Sequence, residues 1–115
     1  LGQPKNQKAA KPKWEKRLSG SGQISSRRVL LQWHADLSKK KQLAPDGFEI
    51  YRKEKGGKYE LIKTKKVSKD NAYTYKDRSI ESGKTYYYKI RSYCYKYGRT
   101  LYSEWTTVLR CRVPD

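Results

Sequence analysis

The stretch Thr85-Tyr-Tyr-Tyr-Lys-Ile-Arg-Ser-Tyr93 constrains the fold more than any other part of the chain. Taken every second residue, it separates into Tyr86, Tyr88, Ile90 and Ser92 on one side and Tyr87, Lys89, Arg91 and Tyr93 on the other. A side-chain period of two belongs to an extended strand, not to a helix. One face can be buried, and the other sets cations among aromatic rings.

The same signal recurs in short pieces along the chain. A first strand is expected within Trp14–Leu18, followed by the turn Ser19-Gly-Ser-Gly22. Ser26–Ala35 places Val29, Leu31 and Trp33 on one face. Gly47–Lys53 points Phe48 and Ile50 inward, with Glu49, Tyr51 and Lys53 outward. Gly56-Gly57 marks a hairpin into a strand at Lys58–Lys63. A further strand begins near Ala72 with Tyr73 and Tyr75. Past Tyr93, the turn Tyr97-Gly-Arg99 leads to a last strand, Ser103–Val113, with Trp105, Thr107, Leu109, Cys111 and Val113 on one face. This spacing of short strands predicts an all-β, seven-stranded antiparallel sandwich. Leu1–Lys11, rich in Lys, Gln, Asn and Pro, reads as a flexible basic linker, which leaves 12–115 as one domain.

Composition qualifies that expectation. Apolar residues are 35% of the chain and charged residues 34%, a balance that leans toward disorder. Against it stand 11 Tyr, 3 Trp and 1 Phe, which bury large areas per residue. The result is a thin core, centred on Trp14 and Trp33 and capped by Trp105, inside a heavily solvated shell. The net charge of +17 suits a polyanionic partner: nucleic acid, cell-wall polymer, sulphated glycan or anionic membrane. Lysines spread along the whole chain are equally consistent with a merely soluble surface. No apolar run approaches the roughly 20 residues of a membrane span. With no initiator Met and no secretory signal, the sequence reads as a processed product or a cut piece of a longer chain.

Several segments resemble fibronectin type III domains. Val29-Leu-Leu-Gln-Trp33 resembles their second strand with its core Trp, and Gly47-Phe-Glu-Ile-Tyr-Arg52 their third. Tyr75-Lys-Asp-Arg-Ser-Ile80, Glu81-Ser-Gly83 and Thr85–Ser92 resemble the loop and strand that follow. The Lys- and Tyr-rich wording, above all Gly83-Lys-Thr-Tyr-Tyr-Tyr-Lys-Ile-Arg91, is similar to repeats in secreted and surface proteins of Gram-positive bacteria. The resemblance implies an immunoglobulin-like sandwich and a spacing, adhesion or binding role outside the cell. It also implies a tyrosine corner at Ile80 and Tyr86, with the Tyr86 hydroxyl bonded to upstream backbone.

Catalytic chemistry finds little to stand on. The one histidine, His34, has no Cys or carboxylate at metal spacing, and Ser19-Gly-Ser-Gly22 lacks the Lys and helix of a phosphate loop. The expectation is a non-enzyme without cofactor or metal. Cys94 and Cys111 fall about eight residues apart along the predicted hairpin, roughly 27 Å at about 3.4 Å per residue, too far for a disulfide. Two free thiols are expected, with Cys111 packed inward.

The candidate binding face is the outer side of the sheet built from Gly47–Lys53, Thr85–Tyr93 and Ser103–Val113. It carries Tyr51, Lys53, Tyr87, Lys89, Arg91 and Tyr93, with Arg110 and Arg112 from the last strand. Cations among flat rings suit an anionic polymer, a glycan or single-stranded bases. The same pairs also serve plain cross-strand stabilisation, about 0.2–1 kcal/mol each. Tyr95, Tyr97 and Tyr102, near the last turn, suit either recognition as exposed loop aromatics or cover for the open end of the core, and the second is preferred. Two uses follow: an extracellular module, expected to be monomeric, contacting protein or an anionic polysaccharide or cell-wall polymer, and, as the alternative, a nucleic-acid-binding protein.

Overall fold

The computed structural model describes residues 7–15, 23–25 and 28–115. They form nine strands: β1 (Pro12–Trp14), β2 (Gln23–Ser25), β3 (Arg28–Ala35), β4 (Gly47–Glu54), β5 (Glu60–Lys66), β6 (Tyr73–Asp77), β7 (Thr85–Lys96), β8 (Arg99–Tyr102) and β9 (Leu109–Arg112). All named strands pair antiparallel, in two sheets. In one, β3 lies between β6 and the pair β1 and β2. In the other, the order is β5-β4-β7, with β8 and β9 both on the far side of β7. Counting β1 with β2, and β8 with β9, as interrupted single strands recovers the seven of an immunoglobulin-like sandwich.

Alternation is obeyed where it is strongest. Along β3 every second residue from Val29 to Ala35 is buried, and along β7 every second residue from Tyr86 to Cys94. Those of β3, and Tyr86, Tyr88 and Ile90 of β7, meet Phe48 and Ile50 of β4 and Leu109 and Cys111 of β9 in one core. Trp33 stands edge-on to Phe48 and stacked on Tyr73, at 5.9 Å in both cases. Trp14 is buried as expected and donates its indole N–H to the Thr107 carbonyl at 2.8 Å. Cys94 lies opposite Leu101 and Cys111 opposite Tyr86; both are buried and they form no disulfide with each other.

Four expectations need correcting. The first strand occupies Pro12–Trp14, not Trp14–Leu18; Glu15 has already left it, and residues 16–18 lie outside the described residues. The boundary after Lys11 does not separate linker from domain. Residues 1–6 lie outside the described residues, but Ala9 and Ala10 are buried. Ala9 bridges Leu43 in parallel, the Ala10 N–H donates to the Leu43 carbonyl at 2.7 Å, and Ser92 Oγ donates to the Ala10 carbonyl.

The last strand is broken. Between β8 and β9, residues 103–108 leave the ladder, and the inward positions become Ser103, Thr106 and Leu109. Two hydroxyls complete the hydrogen bonds of β7 there. The Ser92 N–H donates to Ser103 Oγ (2.8 Å) and the Ile90 N–H to Thr106 Oγ1 (3.0 Å). The Ser103 and Thr106 N–H groups return bonds to the Ser92 and Ile90 carbonyls. This spacing of three turns Trp105 out of the core-facing row in which the alternation placed it.

Finally, Tyr95, Tyr97 and Tyr102 do not cover the core; all three are exposed. A small cluster of Ala9, Leu43, Cys94 and Leu101 closes that end instead. The tight turn there has positive φ at both Tyr97 (56°) and Gly98 (72°), the twist that suits a two-residue hairpin.

Candidate functional site

The outer face of β4 and β7 is organised by register. Lys53 lies opposite Tyr87, Tyr51 opposite Lys89, and Glu49 opposite Arg91. Antiparallel pairing therefore sets a cation beside a ring twice and beside a carboxylate once. Two aromatic residues from outside these strands complete the pattern. Tyr59, just before β5, and Trp105, turned outward by the break between β8 and β9, enter between the cations.

The product is a ladder of alternating rings and charges. The Lys53 ammonium lies 5.4 Å from the Tyr87 ring centre and 5.2 Å from that of Tyr59. Lys89 lies 4.3 Å from Tyr59 and 4.0 Å from Trp105. The Arg91 guanidinium lies 4.8 Å from Trp105, 3.8 Å from Tyr102 and 5.6 Å from Tyr51. Tyr51 meets Trp105 edge-on at 5.0 Å. Each cation–ring contact contributes about 0.5–1 kcal/mol when exposed and about 2 when desolvated.

Charge on this face is incompletely balanced. Arg91 donates to Glu49 at 2.7 Å, but Lys53 and Lys89 take part in no ion pair among the described residues. Burial, then the nearby charges of Arg91 and Lys53, pulls the Lys89 ammonium below the usual lysine range. An approaching anion would relieve that repulsion, whereas rings stabilise the cations without neutralising them.

The other expected site residues lie at the margins. Tyr93 continues the β7 row but contacts Tyr95 and reaches over Gly47, where an added Cβ would collide with its hydroxyl. Arg110 lies opposite Tyr87 and is exposed, extending the positive face onto β9. Arg112 lies 3.8 Å from Asp115. The structure thus gathers Tyr51, Lys53, Tyr87, Lys89 and Arg91 into one array, with Arg110 beside it and Tyr93 and Arg112 outside its ring contacts. Sequence reasoning missed Tyr59, Tyr102 and Trp105 as members. Tyr59 falls inside the strand expected at Lys58–Lys63, but the observed β5 begins only at Glu60, so alternation does not place it on this face. Tyr102 lies near a turn, where residue type does not tell core cover from ladder, and an unbroken last strand would put Trp105 on the inner face.

On the inner side, the Tyr86 hydroxyl accepts the Glu81 N–H at 2.8 Å, and Ile80 packs against the core. Beside it sits a buried polar group. Asp77 Oδ2 receives the Tyr88 hydroxyl (2.6 Å) and Arg52 Nη1 (2.7 Å), while Oδ1 receives the Ser79 N–H (3.0 Å). Burial, then the bond to Asp77, pushes the Tyr88 hydroxyl far above the ordinary tyrosine range. His34 lies half exposed on β3, its Nδ1 3.0 Å from Glu15. Among the described residues no cluster of His, Cys, Asp or Glu is placed to hold a metal, and no helix is long and apolar enough to cross a membrane.

No protein-family model matches this chain, and no curated protein matches it. It is similar to a solved structure described as the twitchin kinase region from C. elegans (Fn31-NL-kin-CRD-Ig26), with 16% sequence identity and a TM-score of 0.57. The match covers 94% of this chain and 17% of that one, so the chain spans about a sixth of its length. At this identity the likeness speaks for fold alone, and it agrees with the immunoglobulin-like, fibronectin-type sandwich described above.

Proposed function

We propose that this domain is a non-catalytic extracellular module that holds an anionic polysaccharide or cell-wall polymer against the outer face of β4 and β7. The observation that carries the reading is the ladder itself: Lys53, Lys89 and Arg91 are set among rings, and Glu49 is the only carboxylate paired with any of them among the described residues. Phosphate or sulphate would meet a prearranged row of cations whose side-chain freedom is already reduced, which lowers the ordering cost of binding. The ring contacts are largely taken up by the protein's own cations, which favours a charge-read polymer over stacked nucleic-acid bases. The extracellular placement rests on the sequence resemblance.

The test is binding of the domain to teichoic acid, heparin and single-stranded DNA at low and physiological salt. The reading expects one of the first two to bind at physiological salt and Lys89→Ala/Arg91→Ala to lose that binding. Retention of single-stranded DNA alone would favour the nucleic-acid reading. Loss of all three with salt would leave a spacer with nonspecific charge.

A further inference from the structure

The β5 edge bears a second concentration of charge, remote in chemistry from the ladder. β5 is the outermost strand of its sheet and pairs with β4 alone. One side of its backbone therefore presents N–H and C=O groups without a strand partner. Pairing with β4 slips at Ile62, which turns against the core, so the regular part of the edge runs from Lys63 to Lys66. Most of the strand is exposed, as is Val67 just beyond it.

Residues 58–76 contain six lysines against only Glu60 and Asp70. Lys65 is committed, its ammonium donating to the Thr74 carbonyl of β6 at 2.6 Å, which ties the edges of the two sheets together. Lys63, Lys66, Lys69 and Lys76 are exposed and take part in no ion pair among the described residues. A second copy of this chain brought to the edge would present the same lysines, so repulsion opposes self-pairing. The same charge attracts a strand of opposite sign.

We propose that β5 docks an extended acidic peptide as an added strand. Main-chain hydrogen bonds to the open edge would hold the backbone, and Asp or Glu side chains three positions apart, on opposite faces of the added strand, would meet Lys63 and Lys66. A peptide fits this edge better than a polysaccharide does, because it can use the free backbone groups and the exposed apolar side chain of Val67 as well as the charge.

The experiment is titration of the domain, at physiological salt, with a synthetic peptide of Val and Thr that carries two Glu three positions apart, one for each face. A second peptide of the same sequence is methylated on alternate backbone nitrogens. The unmethylated peptide should bind and slow hydrogen exchange of β5 amides, and methylation should weaken it roughly tenfold or more. Lys63→Glu/Lys66→Glu should abolish binding, with Lys63→Gln/Lys66→Gln as the milder form. Lys89→Ala/Arg91→Ala, which disables the ladder, should leave it unchanged. Equal binding of the two peptides would overturn the proposal in favour of charge alone, and so would no binding or unprotected β5 amides. Because the methylation comparison uses the unsubstituted domain, it stands even if a charge-reversed variant fails to fold.

Discussion

Arg52 and Lys53 are neighbours in β4 and belong to opposite electrostatic regimes. Arg52 turns to the Asp77 carboxylate, which is 1% exposed, and shares it with the Tyr88 hydroxyl. Lys53 turns outward and meets only rings. Inside the sandwich, an unpaired charge would cost several kcal/mol, so the cation there must find its anion within the fold. On the outer face water screens the charge and rings suffice to position it, so its anion can come from elsewhere. Two adjacent residues thus show how one strand divides its cations between holding the fold and meeting a partner.

The largest test of this contrast removes the inner anion. Asp77→Ala strands the Arg52 guanidinium and the Tyr88 hydroxyl, and should cost about 3 kcal/mol or more in denaturant-unfolding stability. Replacing the pair together, Asp77→Leu with Arg52→Met, should cost less than the single change. Near equality of the two would show that the pair is not coupled.

Next comes pH. The Tyr88 hydroxyl titrates higher in the folded than in the unfolded state, so its stabilisation is full below the unfolded value near 10. Above that value the unfolded chain gives up a proton that the fold retains, and stability falls as pH rises. The slope should approach about 1.4 kcal/mol per pH unit for this one group. Tyr88→Phe should flatten the slope between pH 10 and 12, and an unchanged slope would assign alkaline unfolding to other groups. Tyr86→Phe, which removes the acceptor for the Glu81 N–H, should cost about 1 kcal/mol by the same unfolding assay.

The smallest stability effect is expected on the outer face. Lys89→Ala should change unfolding free energy by less than about 1 kcal/mol, since lost ring contacts are offset by relieved repulsion. Its effect on polyanion binding should be the larger one. A loss of several kcal/mol in stability with unchanged binding would make the ladder structural.

The sequence made strands legible where side chains obey one rule for long enough. From Tyr86 to Tyr93 no residue breaks the alternation, so both faces of β7, and with them most of the ladder, could be read directly. Trp105 could not, because Ser103 and Thr106 replace ladder hydrogen bonds with hydroxyls and shift the period from two to three. Nothing in residue type alone announces that substitution. Ala9 and Ala10 were hidden for a different reason. Two small residues in a lysine-rich segment have no periodicity, and their burial depends on Leu43 and Ser92, far away in sequence. The Asp77 group was equally invisible, since its members come from three strands.

The docking of Ala10 onto Ser92 also fixes how the domain would carry load. A pull applied at Gln7 meets the short parallel bridge to Leu43, between β3 and β4, and then β7 through the Ser92–Ala10 bond, before it reaches β1. Tension from the N-terminal side is therefore delivered to the strand flanked by β4, β8 and β9, rather than peeling the sandwich open from its edge.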